Sequence, residues 1–430
     1  MLRTFVLSAI TAAALAASPL AQTPAASKGP STALGAGLQV YVIDTEGGKA
    51  ALWITPAGQT VLVDSGNPGG RDTDRLMDAI KDAGVTKIDY LISTHYHVDH
   101  IGGMQELAKR IPIGTFVDHG PTVEEREQVP NFQASYKELS DKAKHIVVKP
   151  GDKVPLTGVD WLIVTSAGEV LKKPLPGAGK PNPTCASFTP KDITSDPENG
   201  QSVGMLVTFG QFRAIDLGDL LWNKEHDLMC PNNPIGTIDL YMVSHHGTDP
   251  SGSPQLVHAL APRVAVMQNG TRKGAGTQAM PTMRTSPGLE DIWQLHWGYG
   301  AGIEQNSAGV FIANVDDNQT IANALTAPPR GGGAPGARGA QGAGGAGAPP
   351  PPTVVSPPFT QPTAPPGAGA SPGQLPAGPP PGAPPGAQGG RGAGQAHSPA
   401  YWIKVVAQQD GSFTVSNSRN GYSKTYMKKK

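Results

Sequence analysis

The chain has 430 residues with 34 basic and 34 acidic side chains, so its formal net charge is zero. Because the charges are balanced and barely clustered, strong binding to duplex nucleic acid is not expected, and small or short substrates fit better. The two cysteines, Cys185 and Cys230, lie away from every ligand motif and are assigned no metal. A disulfide between them stays one of two open alternatives.

The first predicted element is a targeting segment. Residues 5–17 are apolar, follow a single arginine at Arg3, and lead to small residues around position 21. This pattern is typical of a secretory signal peptide, which we place at residues 1–21, with an uncleaved anchor as the alternative. The rest of the sequence contains no run near the roughly 20 apolar residues of a membrane span. We therefore expect a secreted or periplasmic protein without a transmembrane span.

Residues 36–326 are predicted to form the folded domain. Strand patterns occur at 38–44, 50–54, 60–63, 88–93, 115–117, 146–148, 160–164, 202–208, 212–215, 239–244, 263–268 and 309–314. Helix patterns occur at 71–83, 103–110, 132–142, 220–229, 254–260 and 286–295. Strands that alternate with helices in two halves favour an α/β fold, in which two mixed sheets stack face to face with helices outside. Functional residues are expected on loops at one edge of these sheets.

The sequence HYHVDH at residues 95–100 follows the predicted strand 88–93. Four potential metal ligands within six residues rarely meet by chance behind a buried strand. We expect His95 and His97 to hold one metal, and Asp99 and His100 to hold a second one beside it. Imidazole and carboxylate ligands without a thiolate favour Zn²⁺, with Mn or Fe as alternatives. The sequence therefore predicts two metals per chain.

The motif and its two following glycines resemble the signature of the metallo-β-lactamase superfamily. Four further segments occur in the chain order that the superfamily shows: VIDTEGGKA at 42–50 and VLVDSG at 61–66 before the motif, and IDLGD at 215–219 and LYMVSHHG at 240–247 after it. VIDTEGGKA, IDLGD and LYMVSHHG are similar to motifs in the hydrolase-like domain of ComEC competence proteins. The resemblance covers roughly residues 38 to 315. It implies a four-layer αββα metallo-β-lactamase-like sandwich.

The resemblance also implies roles for the later motifs. Asp219 would bridge the two metals, and His246 would complete the shell of the second metal beside Asp99 and His100. His245, which is not directly next to the glycine, would orient substrate or move protons. Asp64 would form hydrogen bonds that hold a histidine tautomer in place.

The sequence departs from the superfamily pattern at one ligand. Many members carry a further histidine between the first motif and the bridging aspartate, but only His119 and His145 lie in that interval. Neither stands where the family places the ligand, and the corresponding segment 164–168 has no imidazole. We therefore expect water or substrate at that position, and a first metal that is held more weakly than the second.

Residues 327–399 consist almost entirely of Pro, Gly, Ala, Ser, Thr and Gln, which predicts a disordered insertion. After it, residues 400–430 show two strand patterns around the turn QDG at 409–411, which indicates a hairpin. Because a lone hairpin is marginally stable, we expect it to dock on the domain, at the sheet edge near residues 309–315.

These observations favour an exported dinuclear metal-dependent hydrolase, acting through a metal-bound hydroxide on phosphodiesters or similar small esters. Asp99 and His245 are the expected catalytic residues, and a small molecule is the expected partner. A lactonase or thioesterase is the enzymatic alternative, and an inactive metal-binding protein is the alternative from another class. The sequence leaves the oligomeric state undefined.

Overall fold

The computed structural model describes residues 37–126, 128–193, 196–299, 305–315 and 400–428. The predicted signal peptide and the Pro/Gly-rich tract 327–399 lie outside these residues. Helices are α1 Arg71–Asp82, α2 Val98–Ile101, α3 Met104–Leu107, α4 Gln128–Ser140, α5 Trp222–Met229, α6 Pro254–Leu260 and α7 Ala279–Arg284. In the part of the chain that is described, no helix is long and apolar enough to cross a membrane.

The first half contributes strands β1 Leu38–Val42, β2 Ala51–Ile54, β3 Thr60–Val63, β4 Ile88–Ile92, β5 Ile113–Asp118, β6 Lys144–Val147, β7 Lys153–Val154, β8 Asp160–Ser166, β9 Glu169–Val170 and β10 Lys180–Pro181. The second half contributes β11 Gly204–Phe209, β12 Phe212–Asp216, β13 Asn232–Asn233, β14 Leu240–Met242, β15 Val264–Met267, β16 Asp291–His296, β17 Ile312–Asn314, β18 Ile403–Ala407, β19 Phe413–Asn417 and β20 Ser423–Tyr426.

The described strands form two large mixed sheets and one small pair. The first large sheet has the order β20-β19-β18-β1-β2-β3-β4-β5-β6. The second has the order β17-β16-β15-β14-β12-β11-β8-β7, with β9 paired to β8, while β10 pairs with β13. Strands β3 to β6 and strands β12, β14, β15, β16 and β17 run parallel. Parallel neighbours need crossover connections, and helices such as α1 and α6 provide them.

Three apolar cores define four layers. The two sheets pack on each other through a core that includes an edge-to-face contact between Trp53 and Trp161, with ring centroids 5.2 Å apart. A second core lies between the first sheet and α1, α3 and α4, and a third between the second sheet and α5, α6 and α7. The order helix, sheet, sheet, helix confirms the predicted αββα sandwich.

The C-terminal strands join the first sheet at a different place from the one predicted. Strand β18 pairs antiparallel with β1, and β19 and β20 extend the sheet outward. Segment 309–315 belongs to the other sheet, and it accepts side-chain hydrogen bonds from Asn417 and Arg419. Pairing with β1 is favoured because it turns the alternating apolar face of β18 and β19 into the core between the sheets.

The predicted helix at 286–295 is wrong. The segment from Asp291 to His296 forms the parallel strand β16, in which every residue after Asp291 is buried. A parallel strand covered on both faces has a continuous run of buried residues, so its sequence lacks the alternation that identifies an exposed strand.

Candidate metal centre

The ends of four parallel strands bring the motifs together. Asp64 follows β3, the HYHVDH segment follows β4, Asp219 follows β12, and His246 follows β14. Parallel strands expose their carboxyl ends at one edge of a sheet, and the two sheets place these edges side by side. Gly103 allows the close approach, because a Cβ there would lie 2.3 Å from the carbonyl oxygen of Ser65.

The imidazoles of His95 and His97 face each other on one side of the centre. His95 Nε2 lies 3.0 Å from His97 Nδ1. His95 is buried, whereas His97 is half-buried at the wall of a cavity. Ligand atoms of His95, His100 and Asp219 all lie within 4.8 Å of one another.

Asp99, His100 and His246 form the other side. His246 Nε2 lies 3.2 Å from His100 Nε2 and 3.3 Å from Asp99 Oδ2. Asp219 Oδ2 lies 3.3 Å from Nε2 of both histidines. Because Asp219 also clusters with His95, it contacts both sides of the centre.

Hydrogen bonds fix the tautomers of the buried histidines. Asp64 Oδ2 lies 2.8 Å from His100 Nδ1, which confirms the predicted role of Asp64. The Gln268 carbonyl oxygen accepts from His246 Nδ1 at 3.0 Å. Thr94 Oγ1 donates to Asp64 and lies 3.1 Å from His95 Nδ1. Each Nδ1 therefore carries the hydrogen, so each Nε2 offers a lone pair to the centre.

The backbone is strained at three positions of the centre. Asp64, His245 and His246 have φ values of 60°, 51° and 56°, which residues with a side chain seldom adopt. Such strain concentrates at functional sites, where the surrounding structure holds it in place.

The electric field of the centre suits bound cations. Burial would raise the pKa of Asp99 and Asp219, but Lys273 and the neighbouring histidines hold the pKa of Asp99 well below its usual range, and His246, His100 and His245 do the same for Asp219. Burial lowers the pKa of His95, and it lowers the pKa of His245 to about 4. These are the deprotonated states in which carboxylates and imidazoles bind metals.

His100 differs from the other histidines. Burial alone would lower the pKa of His100, but the carboxylates of Asp219 and Asp99 outweigh it and raise that pKa to about 10. The same carboxylates that attract this proton would attract a metal ion.

The donors fit two divalent cations. Among the described residues, no hydrogen-bond donor reaches Asp219 Oδ1, although that oxygen is buried. The Nε2 atoms of His100 and His246 also face each other 3.2 Å apart, a contact that needs either a proton on His100 or a metal ion between the two nitrogens. His95, His97 and Asp219 would hold one ion, and Asp99, His100 and His246 the other, with Asp219 shared. The two cysteines take no part, because they form a disulfide.

His245 lies beside this ligand group. Its Nε2 is 3.6 Å from Asp219 Oδ2, and its Nδ1 is 3.2 Å from Ser251 Oγ. The geometry favours His246 as the ligand, since only His246 approaches both Asp99 and Asp219. His245 remains half-buried and lines the adjacent cavity.

A cavity of about 660 Å³ opens onto the centre. Its walls include His97, Asp99 and His245, together with two cationic side chains, Arg126 and Lys273. Lys273 Nζ forms an ion pair with Asp99. Arg126, which sequence reasoning missed, places Nη2 3.2 Å from His97 Nε2 and 2.6 Å from Asp196 Oδ1.

A buried ion pair behind the centre was also missed. Lys49 Nζ pairs with Asp216 Oδ1, and both side chains are almost fully buried. Asp216 also accepts from the backbone of Gly218, next to Asp219, while the Lys49 amide donates to the Asp99 carbonyl. Lys49 therefore joins the ligand loops of the two sheets. The VIDTEGGKA segment was the available signal for this lysine.

The structure places no further imidazole in the ligand group among the described residues. His119 Nε2 lies 2.9 Å from Glu198 Oε1, and His145 Nε2 lies 2.6 Å from Asp118 Oδ2. The segment 164–168 lies in and after β8, where Ser166 Oγ donates to the Val148 carbonyl oxygen.

Fold and site together define a two-sheet sandwich with a candidate metal centre at the strand ends. Residues 44–189 match the family model of the Metallo-beta-lactamase superfamily, so the chain carries a metallo-beta-lactamase domain. This confirms the resemblance found in the sequence. Members of this superfamily are mostly hydrolases.

Competence protein ComA of Neisseria gonorrhoeae is 24% identical over 231 residues, which are 54% of this chain and 27% of that protein. The chain thus spans about a quarter of the length of that relative. The metallo-beta-lactamase fold protein YhfI from Bacillus subtilis is 12% identical with a TM-score of 0.37, covering 60% of this chain and 96% of that one. A diphosphatase from the PhnP family is 12% identical with a TM-score of 0.30, covering 54% and 86%. The fold assignment rests on sheet order and the family match.

Proposed function

We propose that the protein is an exported dinuclear metal-dependent hydrolase that cleaves phosphodiesters or similar small esters. One observation carries this proposal. Six side chains from three strand ends converge on one point beside a cavity, and their facing nitrogen and oxygen atoms lie 3.0–3.5 Å apart. The six are His95, His97, Asp99, His100, Asp219 and His246.

Two divalent cations held there, Zn²⁺ by ligand type, would supply the Lewis acidity that ionises water near neutral pH and offsets developing negative charge. The chain's own residues would do the rest. Asp99 lies at the cavity wall and would accept a hydrogen bond from the attacking water. His245, which faces the same cavity and is neutral at pH 7, would exchange a proton with the reacting group.

The cavity supports an anionic substrate of limited size. Lys273 and Arg126 stand beside the ligands, where the oxygens of a phosphoryl group would bind in competition with the carboxylates that they now pair with, Asp99 for Lys273 and Glu124 and Asp196 for Arg126. The chain as a whole is neutral, which disfavours long polyanions and supports a small diester or a short oligonucleotide. The disulfide between Cys185 and Cys230 supports export, because disulfides persist in oxidising compartments.

The test compares substrates on protein loaded with Zn²⁺ or Mn²⁺. A chromogenic phosphodiester should be hydrolysed, hydrolysis should stop with a chelator, and Asp219→Ala should be inactive. A panel of lactones and thioesters is assayed alongside. If protein that holds two metals hydrolyses a lactone or thioester but no phosphodiester, the proposed substrate class is wrong and the enzyme is a lactonase or thioesterase. Two bound metals with no turnover of any ester would instead indicate a metal-dependent binding protein.

A further inference from the structure

Asn199 begins a single turn of 3-10 helix, Asn199–Gln201, in the connection that precedes β11. Its side chain is only 1% exposed. Asn199 nonetheless lines the cavity at the metal centre, together with His97 and Asp219. Within the described part of the chain, nothing donates a hydrogen bond to Asn199 Oδ1.

Hydrogen bonds on both sides fix the turn that carries Asn199. On one side, Glu198 Oε1 accepts from the backbone amide of Tyr96 at 3.1 Å, and Tyr96 stands between the two histidines of the first-metal pair. On the other side, Ser202 Oγ accepts from the backbone amide of Asp219 at 3.2 Å. The turn is therefore tied to both segments that carry the first metal's ligands.

A buried oxygen without a donor is unfavourable and calls for a partner. Asp219 Oδ1 is a second such oxygen, and the two residues line the same cavity. A cation bound at the cavity would accept the lone pairs of both oxygens, and no donor in the described part of the chain does so.

We propose that Asn199 completes the shell of the first metal through Oδ1, beside His95, His97 and Asp219. It takes the place of the imidazole that segment 164–168 lacks. Amide oxygens are established ligands of divalent cations, and they are neutral. An amide oxygen is a weaker donor to Zn²⁺ than an imidazole nitrogen, so this ion is bound less tightly than an ion held by a third imidazole. The inference rests on the proposed dinuclear centre.

The experiment measures metal binding without any substrate. Metal-free protein is titrated with Zn²⁺ against a chromogenic chelator, and with Co²⁺ while the visible absorption spectrum is recorded. Wild-type protein should bind two ions, one more tightly than the other. Asn199→Ala should weaken the looser ion about tenfold or more and change its Co²⁺ spectrum, while the tighter ion is unaffected.

Two further variants keep the result interpretable. Asn199→Asp preserves an oxygen ligand and adds charge, so it should retain both ions, bind the looser one more tightly than wild type and change its Co²⁺ spectrum. Gln201→Ala removes an amide from the same turn. In the described structure the Gln201 side chain donates to the Pro197 carbonyl oxygen, so this variant should bind both ions like wild type. If Asn199→Ala does not fold, an unchanged Co²⁺ spectrum and affinity in Asn199→Asp would refute the proposal.

Wild-type affinities and spectra in Asn199→Ala would also refute it, and a raised KM in that variant would then assign Asn199 to substrate binding. Because binding is measured without an ester, an inactive protein that holds both ions through Asn199 would contradict only the proposed function.

Discussion

The two halves of the candidate centre are built differently. In the half formed by Asp99, His100 and His246, both imidazoles are buried, and Asp64 and the Gln268 carbonyl bond to them from behind. In the half formed by His95 and His97, one imidazole is buried while the other borders the cavity.

The surroundings of the two halves differ as well, and the half formed by Asp99, His100 and His246 is again the more enclosed. The second half lies under Asp64, whose carboxylate also accepts from the backbone and hydroxyl of Thr94. The first half meets a cationic side chain, Arg126, at His97. If the proposed two metals bind, the second would be enclosed by the fold and the first would border the cavity. The comparison therefore predicts unequal losses when ligands are removed.

The largest effect is expected from His246→Ala. It removes a buried imidazole from the tighter half, so the second metal should be lost and turnover should fall to near background. Metal analysis and turnover of the chromogenic diester measure both effects. His245→Ala is the matched control and should keep two metals, with activity reduced. Full metal content in His246→Ala together with metal loss in His245→Ala would exchange the roles of the two residues.

His97→Ala tests whether the two halves bind their metals independently. The first metal should be lost, because one of its two imidazoles is missing, while one metal per chain stays bound to Asp99, His100 and His246. Activity should fall strongly although metal remains. Chelator competition and metal analysis give the stoichiometry. Loss of both metals together would show that the halves bind as one unit.

Asp64→Asn should have an intermediate effect. The amide keeps the size of the side chain and tolerates φ of 60°. Its one oxygen can accept from the Thr94 hydroxyl and His100, but its NH₂ group then faces the Thr94 backbone N–H, which the second carboxylate oxygen accepts in Asp64. Metal affinity of the second half or turnover should fall about tenfold to a hundredfold, as for other groups that orient a ligand histidine. A loss confined to the first metal would contradict the assignment of Asp64 to the second half.

The smallest effect is expected from Lys273→Met. The lysine pairs with Asp99 at the cavity wall, so its loss should raise KM for an anionic diester by roughly tenfold, as for one hydrogen bond to a charged group. Both metals should remain. Steady-state kinetics on an anionic and a neutral ester test whether Lys273 binds the substrate's charge, since in that case only the anionic ester should be affected. Equal effects on both esters would indicate that Lys273 acts through Asp99.

The ligand motif could be found in the sequence because four of its members lie within six residues after a strand. The contacts of Lys49 and Arg126 could not, because their partners are distant or lie on loops, although the VIDTEGGKA segment did contain Lys49. Lys49 meets Asp216 across 167 residues, and in a glycine-rich turn a lysine is expected to be solvated. Arg126 lies in a segment without any strand or helix pattern. Neither contact is a property of local sequence.

The fold, too, was predictable from the sequence in some places and not in others. Strands with clear apolar runs, such as β3 and β4, were predicted close to their observed bounds. Strand β16 was taken for a helix, and β20 was missed because its sequence, SKTY, is short and polar. Periodicity also cannot define strand neighbours, so the pairing of β18 with β1 became visible only in the structure.

That pairing has a consequence for how the protein is made. Tyr41 on β1 contacts Lys404 on β18 across 363 residues. Until the ribosome has delivered β18, one edge of the first sheet is open and the apolar residues that β18 and β19 cover are exposed to water. Contacts this distant in sequence form slowly. Closing this edge of the first sheet is therefore a late step in folding, and the open edge is prone to aggregation until β18 pairs with β1.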